Sequence, residues 1–418
     1  MEINPNRFSV RGLGTWLLRS RLAFVLISLL GAIAHGGTGS QVRVLFIGNS
    51  FTFYNNMPEV LKALGASRAE GARFEVQMVV APGATLQQLW DGGEARSTIK
   101  SSKWDFVVLQ EQTSLGSVFL VNGIPRITSV DRFHQAVRQF VPEIKQSGAK
   151  AVLLLTPSYR DAPEEQGALN YAYFEIAREV GASVAPVGIA YQRARAGSQG
   201  DLWWWDGIHP SNRGSYLTAC VLYASLTNES PIGLTAKVAA PTVSVDGTGI
   251  PKYGETVDVV DLDANESKLY QRTVWDLYRE LQEAKGYLSF PKPGPPVLPQ
   301  LPPGRPIEPA RLGGTWLGEL RLFVFPQEMS LELREEQTLK GQLTLKLKLD
   351  HPGPPPRSAT LADLELVENE LNFSDDDPVG GHVKFRGVLT EAGLVGIAEA
   401  FDKDQKVRAV GSWSLKKR

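Results

Sequence analysis

Between Gln41 and Val187 one pattern recurs: a short apolar run, a polar break, then residues with helical spacing. The first run, Val44-Leu45-Phe46-Ile47, stops at Gly48-Asn49-Ser50, and Phe74–Val80, Trp104–Leu109, Ala151–Leu155 and Ser183–Val187 follow it. Runs that are apolar throughout are strands buried on both faces, as in a parallel sheet. Between them, Met57–Gly65, Leu86–Trp90, Val130–Ser147 and Gln166–Gly181 have helical periodicity. The alternation predicts an α/β fold, a three-layer α/β/α sandwich of flavodoxin-like or related topology. Two further helices are expected around Leu217–Leu226 and Glu266–Lys285, the second packing back on the sandwich. Residues 231–262 are turn-rich and suggest no element.

Pro291 to Pro309 contains nine prolines and reads as a stiff, extended linker. Beyond it the period changes to two, with Leu343, Leu345 and Leu347 alternating with Thr344 and Lys346. About eight short strands are expected, at Leu331–Leu333, Leu343–Leu349, Leu317–Val324, Thr360–Val367, Glu370–Phe373, His382–Leu389, Leu394–Ala400 and Ala409–Leu415. They predict a small antiparallel β barrel or sandwich, either a ligand-binding module or a spacer. Gly314-Thr315-Trp316 opens it and Gly411-Ser412-Trp413 closes it, so the two tryptophans are expected where its first and last strands pair. The resulting division is 40–290, a linker at 291–310, and 311–418.

At the start of the chain, Arg7, Arg11, Arg19 and Arg21 precede an uncharged apolar run that ends in Ala32-Ile33-Ala34. A basic region, a short apolar core and an A-x-A site describe a secretory signal peptide over residues 1–39. The protein is therefore expected to be secreted or periplasmic, with an uncleaved N-terminal anchor as the alternative and no other integral membrane role. A net charge of -1 gives no reason to expect a nucleic-acid partner. The single cysteine, Cys220, excludes an internal disulfide, a structural zinc cluster and an iron–sulfur site. It lies in an apolar helical run and reads as a buried, inert thiol. No cofactor or metal is expected.

Ser50 lies where the first strand gives way to a helix, a place that suits either a helix cap or a nucleophile. Histidine placement helps to separate these readings. His35 falls in the leader, and His351 and His382 fall among the C-terminal strands. His134 sits in an amphipathic helix beside Phe133 and reads as a partly exposed structural residue. His209 remains, in a loop three residues after Asp206. Asp-x-x-His lets the carboxylate reach the imidazole Nδ1–H and leaves Nε2 for a hydroxyl. Alone, that pair also fits a capping aspartate and a solvated histidine. Together with Ser50 it supplies nucleophile, base and orienter for acyl transfer. A phosphate loop is excluded because no lysine follows Ser50, and the Gly-x-Ser-x-Gly motif of lipases is missing. Asp206, His209 and Glu111 lack metal-ligand spacing.

Residues 42 to about 287 resemble the SGNH (GDSL-like) hydrolase superfamily. The resemblance rests on Gly48-Asn49-Ser50 after the first strand, Ala81-Pro82-Gly83 after the second, Gln110-Glu111-Gln112 after the third and Asp206-Gly207-Ile208-His209 late in the domain. It implies catalytic roles for Ser50, Asp206 and His209. It also implies an oxyanion hole made by the backbone N–H groups of Ser50 and Gly83 and a side-chain amide. The sequence departs from the family twice: Asn49 replaces the usual aspartate, and the usual asparagine donor after the third strand is absent. Gln112 is its closest counterpart, and Gln110 the second. The activity expected is hydrolysis of a small-molecule or polysaccharide ester, with carbohydrate deacetylation preferred and lipid or short-chain esters next. A catalytically degenerate SGNH-like protein that binds glycans or other ligands is the alternative. Trp203-Trp204-Trp205 suits either a pocket wall or ordinary packing.

Overall fold

The structure is a computed structural model that describes residues 39–246, 249–335, 339–348, 354–361, 363–377 and 380–418. Apart from Gly39, the expected leader lies outside the described residues, as does His351. In chain order the first part comprises β1 (Gln41–Gly48), α1 (Ser50–Phe53), α2 (Met57–Ala66), β2 (Arg73–Val80), α3 (Leu86–Gly92), α4 (Glu94–Ser101) and β3 (Phe106–Leu109). There follow β4 (Leu120–Val121), β5 (Ile124–Pro125), α5 (Asp131–Gln146), β6 (Lys150–Leu154), α6 (Gln166–Val180), β7 (Ser183–Ala185), α7 (Val187–Arg195) and α8 (Asn212–Thr227). The hairpin β8 (Lys237–Val245) and β9 (Pro251–Asp261) precedes α9 (Ala264–Glu283).

The five apolar runs form one parallel sheet in the order β2-β1-β3-β6-β7. The strand β1, between β2 and β3, is covered on both faces, and Val44, Leu45, Phe46 and Ile47 are all fully buried. Each such side chain contributes about 1.5–3 kcal/mol relative to exposure. This explains why the run is continuous rather than alternating. The helix α8 buries most of its surface and carries Cys220, whose thiol burial pushes up to about 12. Because every strand points the same way, the loops after β1, β2 and β3 gather at one end of the sheet. No described helix is long and apolar enough to cross a membrane.

Residues 231–262, unassigned from the sequence, contain the β8–β9 hairpin. Its pairing slips at Val238/Ala239 and again at Pro241/Val243, which breaks the period of two that marks a strand.

After α9, residues 287–308 form no helix or strand beyond one bridge between Arg305 and Leu389. The chain then runs through α10 (Pro309–Leu312), β10 (Gly314–Arg321), β11 (Gln327–Glu335), β12 (Leu339–Leu347), β13 (Arg357–Leu361) and β14 (Glu365–Val367). It ends with β15 (Glu370–Asp376), β16 (His382–Thr390), β17 (Gly393–Phe401) and β18 (Val407–Lys417). These strands form one antiparallel sheet, β13-β12-β11-β10-β18-β17-β16-β15-β14, curled into a half-barrel. The stretch read as a single strand over Thr360–Val367 falls across β13 and β14. The first and last strands, β10 and β18, are neighbours, with Leu320 opposite Trp413. Trp316 and Trp413 are both buried in this second core.

The two β systems meet at a feature with no sequence signal. The loop after β3 makes a minimal hairpin, β4–β5, and β4 adds to β18 in parallel, Leu120 opposite Ala409 and Val121 opposite Val410. Asn122 at its tip donates its N–H to the Val410 carbonyl, and its Oδ1 accepts from the N–H and hydroxyl of Ser412.

Candidate active site

The nucleophile candidate owes its position to the tight turn that ends β1. A Cβ on Gly48 would lie 2.5 Å from Gln110 Oε1 and 2.6 Å from Thr52 Oγ1, so a larger residue would have to displace both side chains. Asn49 is extended and caps α1, its Oδ1 accepting from Phe51 N at 3.1 Å. The cap role considered for Ser50 thus belongs to Asn49, and the Ser50 hydroxyl is left for other work. Asn49 also donates from Nδ2 to the Ala84 carbonyl at 2.9 Å, which ties the end of β1 to the loop after β2. As the first residue of α1, Ser50 has an N–H with no intrahelical acceptor.

Ser50 Oγ lies 2.9 Å from His209 Nε2, and His209 Nδ1 lies 2.7 Å from Asp206 Oδ2. The other carboxylate oxygen of Asp206 accepts from the N–H groups of Ile208, at 2.8 Å, and His209, at 3.0 Å. Asp206 therefore fixes both the backbone and the ring of the histidine. Gly207 supplies the positive φ of +71° that this turn requires. Burial alone would raise the Asp206 carboxyl. The hydrogen bonds from the His209 ring and the two amides outweigh it and hold the group below its ordinary value. Tyr54 stacks flat on His209, with ring centroids 4.0 Å apart and planes 4° from parallel. Burial first, and Asp206 second, push its phenol upward, so it stays neutral. Sequence reasoning missed Tyr54, for which proximity to Ser50 was the only signal.

A cavity of about 820 Å³ opens on this constellation. Ser50, His209, Gly83 and Gln112 line it, and Val243, Val245 and Val257 of the β8–β9 hairpin supply an apolar wall. Gly83 adopts a φ of +64°. Gln112 Nε2 donates to the Gly83 carbonyl at 3.0 Å, so one of its two amide hydrogens is engaged there. Gln110, by contrast, is buried and inward-facing. Its Oε1 accepts from Asn49 N and Thr52 Oγ1, and its Nε2 donates to Asn49 Oδ1 and the Glu111 carbonyl. Gln110 braces the serine turn and Gln112 faces the cavity.

The remaining candidates fall outside the site. Trp203 is buried, donating from Nε1 to the Ser158 carbonyl. Trp204 and Trp205 are 45% and 71% exposed, and none of the three lines the cavity. His134 is more buried than expected, with Nε2 2.8 Å from the Ala172 carbonyl, and burial lowers its basicity.

No family model and no curated protein matches the chain. Among solved structures, it is similar to a putative SGNH hydrolase from Slackia heliotrinireducens, with 28% identity over 45% of this chain and 100% of that one, at a TM-score of 0.38. It is also similar to a lipase/acylhydrolase from Enterococcus faecalis, 17% identical over 45% of this chain and 96% of that one, at a TM-score of 0.36. A catalytic mutant of an acetylxylan esterase from Geobacillus stearothermophilus is 16% identical over 46% of this chain and 97% of that one, at a TM-score of 0.35. The matched portion is the N-terminal part, where the sequence itself resembles the SGNH hydrolases.

Proposed function

We propose that this protein is a serine esterase that cleaves carboxylic esters through Ser50, His209 and Asp206. The observation that carries this reading is the continuous contact from Ser50 Oγ through His209 to Asp206, at 2.9 and 2.7 Å, at the edge of a cavity. Ser50 Oγ bonds to the ester carbonyl carbon as its proton passes to His209 Nε2. The resulting oxyanion is held by the N–H groups of Ser50 and Gly83 and by the second amide hydrogen of Gln112. Collapse breaks the bond to the alcohol oxygen, which takes the proton from His209. Water then attacks the acyl-serine with His209 again as base, releasing the acid and restoring Ser50. Asp206 holds the imidazole tautomer and stabilises the imidazolium throughout.

For the substrate, O-acetylated carbohydrate is the class proposed, acted on outside the cytoplasm. The N-terminal leader pattern supports this, and a cavity of about 820 Å³ is large enough for a hydroxylated leaving group. The valine wall of the β8–β9 hairpin favours a second reading, esters of longer acyl chains.

The test is hydrolysis of an aryl acetate, an aryl octanoate and an acetylated xylooligosaccharide by the purified protein and by Ser50→Ala and His209→Ala. Hydrolysis that survives either substitution overturns the assignment. Faster turnover of the octanoate moves the substrate to acyl esters. Glycan binding without any hydrolysis favours the binding-protein alternative.

A further inference from the structure

The loops assigned to the oxyanion hole share a partner that the mechanism above does not use. Glu111 stands between Gln110 and Gln112, yet its side chain turns inward and is almost fully buried. Its Oε2 accepts from the Leu86 N–H at 3.0 Å, and its Oε1 accepts from the Gln112 N–H at 2.6 Å. Leu86 is the first residue of α3, three positions after Gly83, so its N–H has no intrahelical acceptor of its own. One carboxylate therefore joins the loop carrying Gly83 to the loop carrying Gln112. Asn49 secures the same Gly83 loop from the serine side, through the Ala84 carbonyl.

Resting on the esterase reading, we infer that Glu111 is a positioning residue that sets the spacing of the Gly83 and Gln112 oxyanion donors, and that it does so only as a carboxylate. Two N–H donors converge on two different oxygens, and an ionised carboxylate accepts at both. A protonated carboxyl turns one oxygen into a hydroxyl donor, and a glutamine replaces one with an NH₂. Glutamine sets a donor against a donor, and the hydroxyl oxygen of a protonated carboxyl accepts only weakly, so either change loosens one loop. Other groups around Glu111 do not take over this role. Tyr173 of α6 places its hydroxyl 3.4 Å from the Glu111 backbone N–H, and Arg132 of α5 lines the same small cavity behind the loops.

The titration of Glu111 adds a signature that ordinary structural support lacks. Burial raises the carboxyl to about 7 against the opposing pull of the Gln112 and Leu86 amides. Below that pH the brace loses one of its two bonds while the fold persists, so turnover falls in step with the protonation of Glu111. The acid limb of the wild type is therefore expected to carry a component that Glu111→Gln lacks.

The experiment is the pH dependence of kcat/KM for aryl acetate hydrolysis by the full protein and by Glu111→Gln, with Ser50→Ala as control. Between about pH 6 and 8, kcat/KM of the wild type is expected to climb more steeply with pH than that of Glu111→Gln. At pH 8 the variant is expected to lose about 10–100-fold in kcat with little change in KM, and the gap is expected to close as the pH falls. In the wild type alone, hydrogen exchange at the Leu86 and Gln112 amides, corrected for its intrinsic pH dependence, is expected to lose protection as the pH falls through about 7, and unchanged protection overturns the inference even where Glu111→Gln fails to fold. A gap between the two proteins that stays constant over this range also overturns it, since the proton then belongs elsewhere. Residual hydrolysis in Ser50→Ala would instead sink the esterase reading itself.

Discussion

Along β1, Val44, Leu45, Phe46 and Ile47 are all fully buried, whereas along β12 Leu343 is buried and Gln342 and Lys346 are exposed. The first strand lies inside a parallel sheet with helices on both faces, and the second has one face on a core and one in water. That difference determines where each region can carry function. A strand covered on both faces has no side chain free for chemistry, so polar residues collect just beyond its end. Asn49-Ser50, Gly83 and Gln112 follow β1, β2 and β3 in this way. A one-faced sheet keeps its backbone edges and outer face available, and here β18 accepts β4 from the loop after β3. The parallel sheet gathers the candidate site residues at one end, and the curled sheet grips the loop that carries one of them.

The sharpest way to break this division is at the strand ends. Ser50→Ala or His209→Ala is expected to lower kcat for aryl acetate by at least about 10⁴-fold, and the double variant to lose little more, because the pair acts as a unit. Additive losses in steady-state kinetics would mean that the two residues act separately.

Two neighbouring glutamines sharpen the comparison further. Gln112→Ala is expected to cost about 10²–10³-fold in kcat with unchanged folding stability, through the lost oxyanion donor. Gln110→Ala strips acceptors from Asn49 N and Thr52 Oγ1 inside the turn, and is expected to cost about 1–3 kcal/mol in urea unfolding. The reverse pattern would exchange their roles.

The strand ends were legible because their signals are local. Apolar runs ending in glycine or polar residues mark β1 and β3, and Asp-x-x-His is complete within one turn. What escaped depends on contacts between distant segments. The β8–β9 wall was hidden by its two register slips. Nothing in Gln110-Glu111-Gln112 reveals that the first two side chains turn inward and the third faces the cavity. The three tryptophans looked alike in sequence, and only Trp203 finds a buried acceptor. In the C-terminal region the period of two marked most strands, but a pair as short as β4 has too few residues to carry a pattern.

Glu111 also ties the site to stability. Its carboxyl keeps its proton to about 7 when folded and has an ordinary value of 4.5. Between these values the folded state binds more protons than the unfolded one, so stability falls as pH rises through that window. Relative to Glu111→Gln, the wild type is expected to lose up to about 3 kcal/mol between pH 4.5 and 8, read by urea unfolding at both pH values. A constant difference would place the titration elsewhere.

The smallest expected effect is at the junction of the two sheets. Asn122→Ala removes the acceptor for the N–H and hydroxyl of Ser412 and is expected to cost about 1–2 kcal/mol. Hydrogen exchange is expected to rise at 118–126 and along β18, with β1 unaffected. Loosening that spread into β1 would mean that the two sheets are not separately stabilised.

The most direct measurement is a stopped-flow burst with an aryl acetate, followed by acid quenching and mass spectrometry of the intact and digested protein. One equivalent of aryl alcohol released in the burst, with a single acetyl group on Ser50 and neither signal in Ser50→Ala, is the expected result. Steady hydrolysis with no acyl-enzyme, or an acetyl group on another residue, would contradict the assignment of Ser50 as nucleophile.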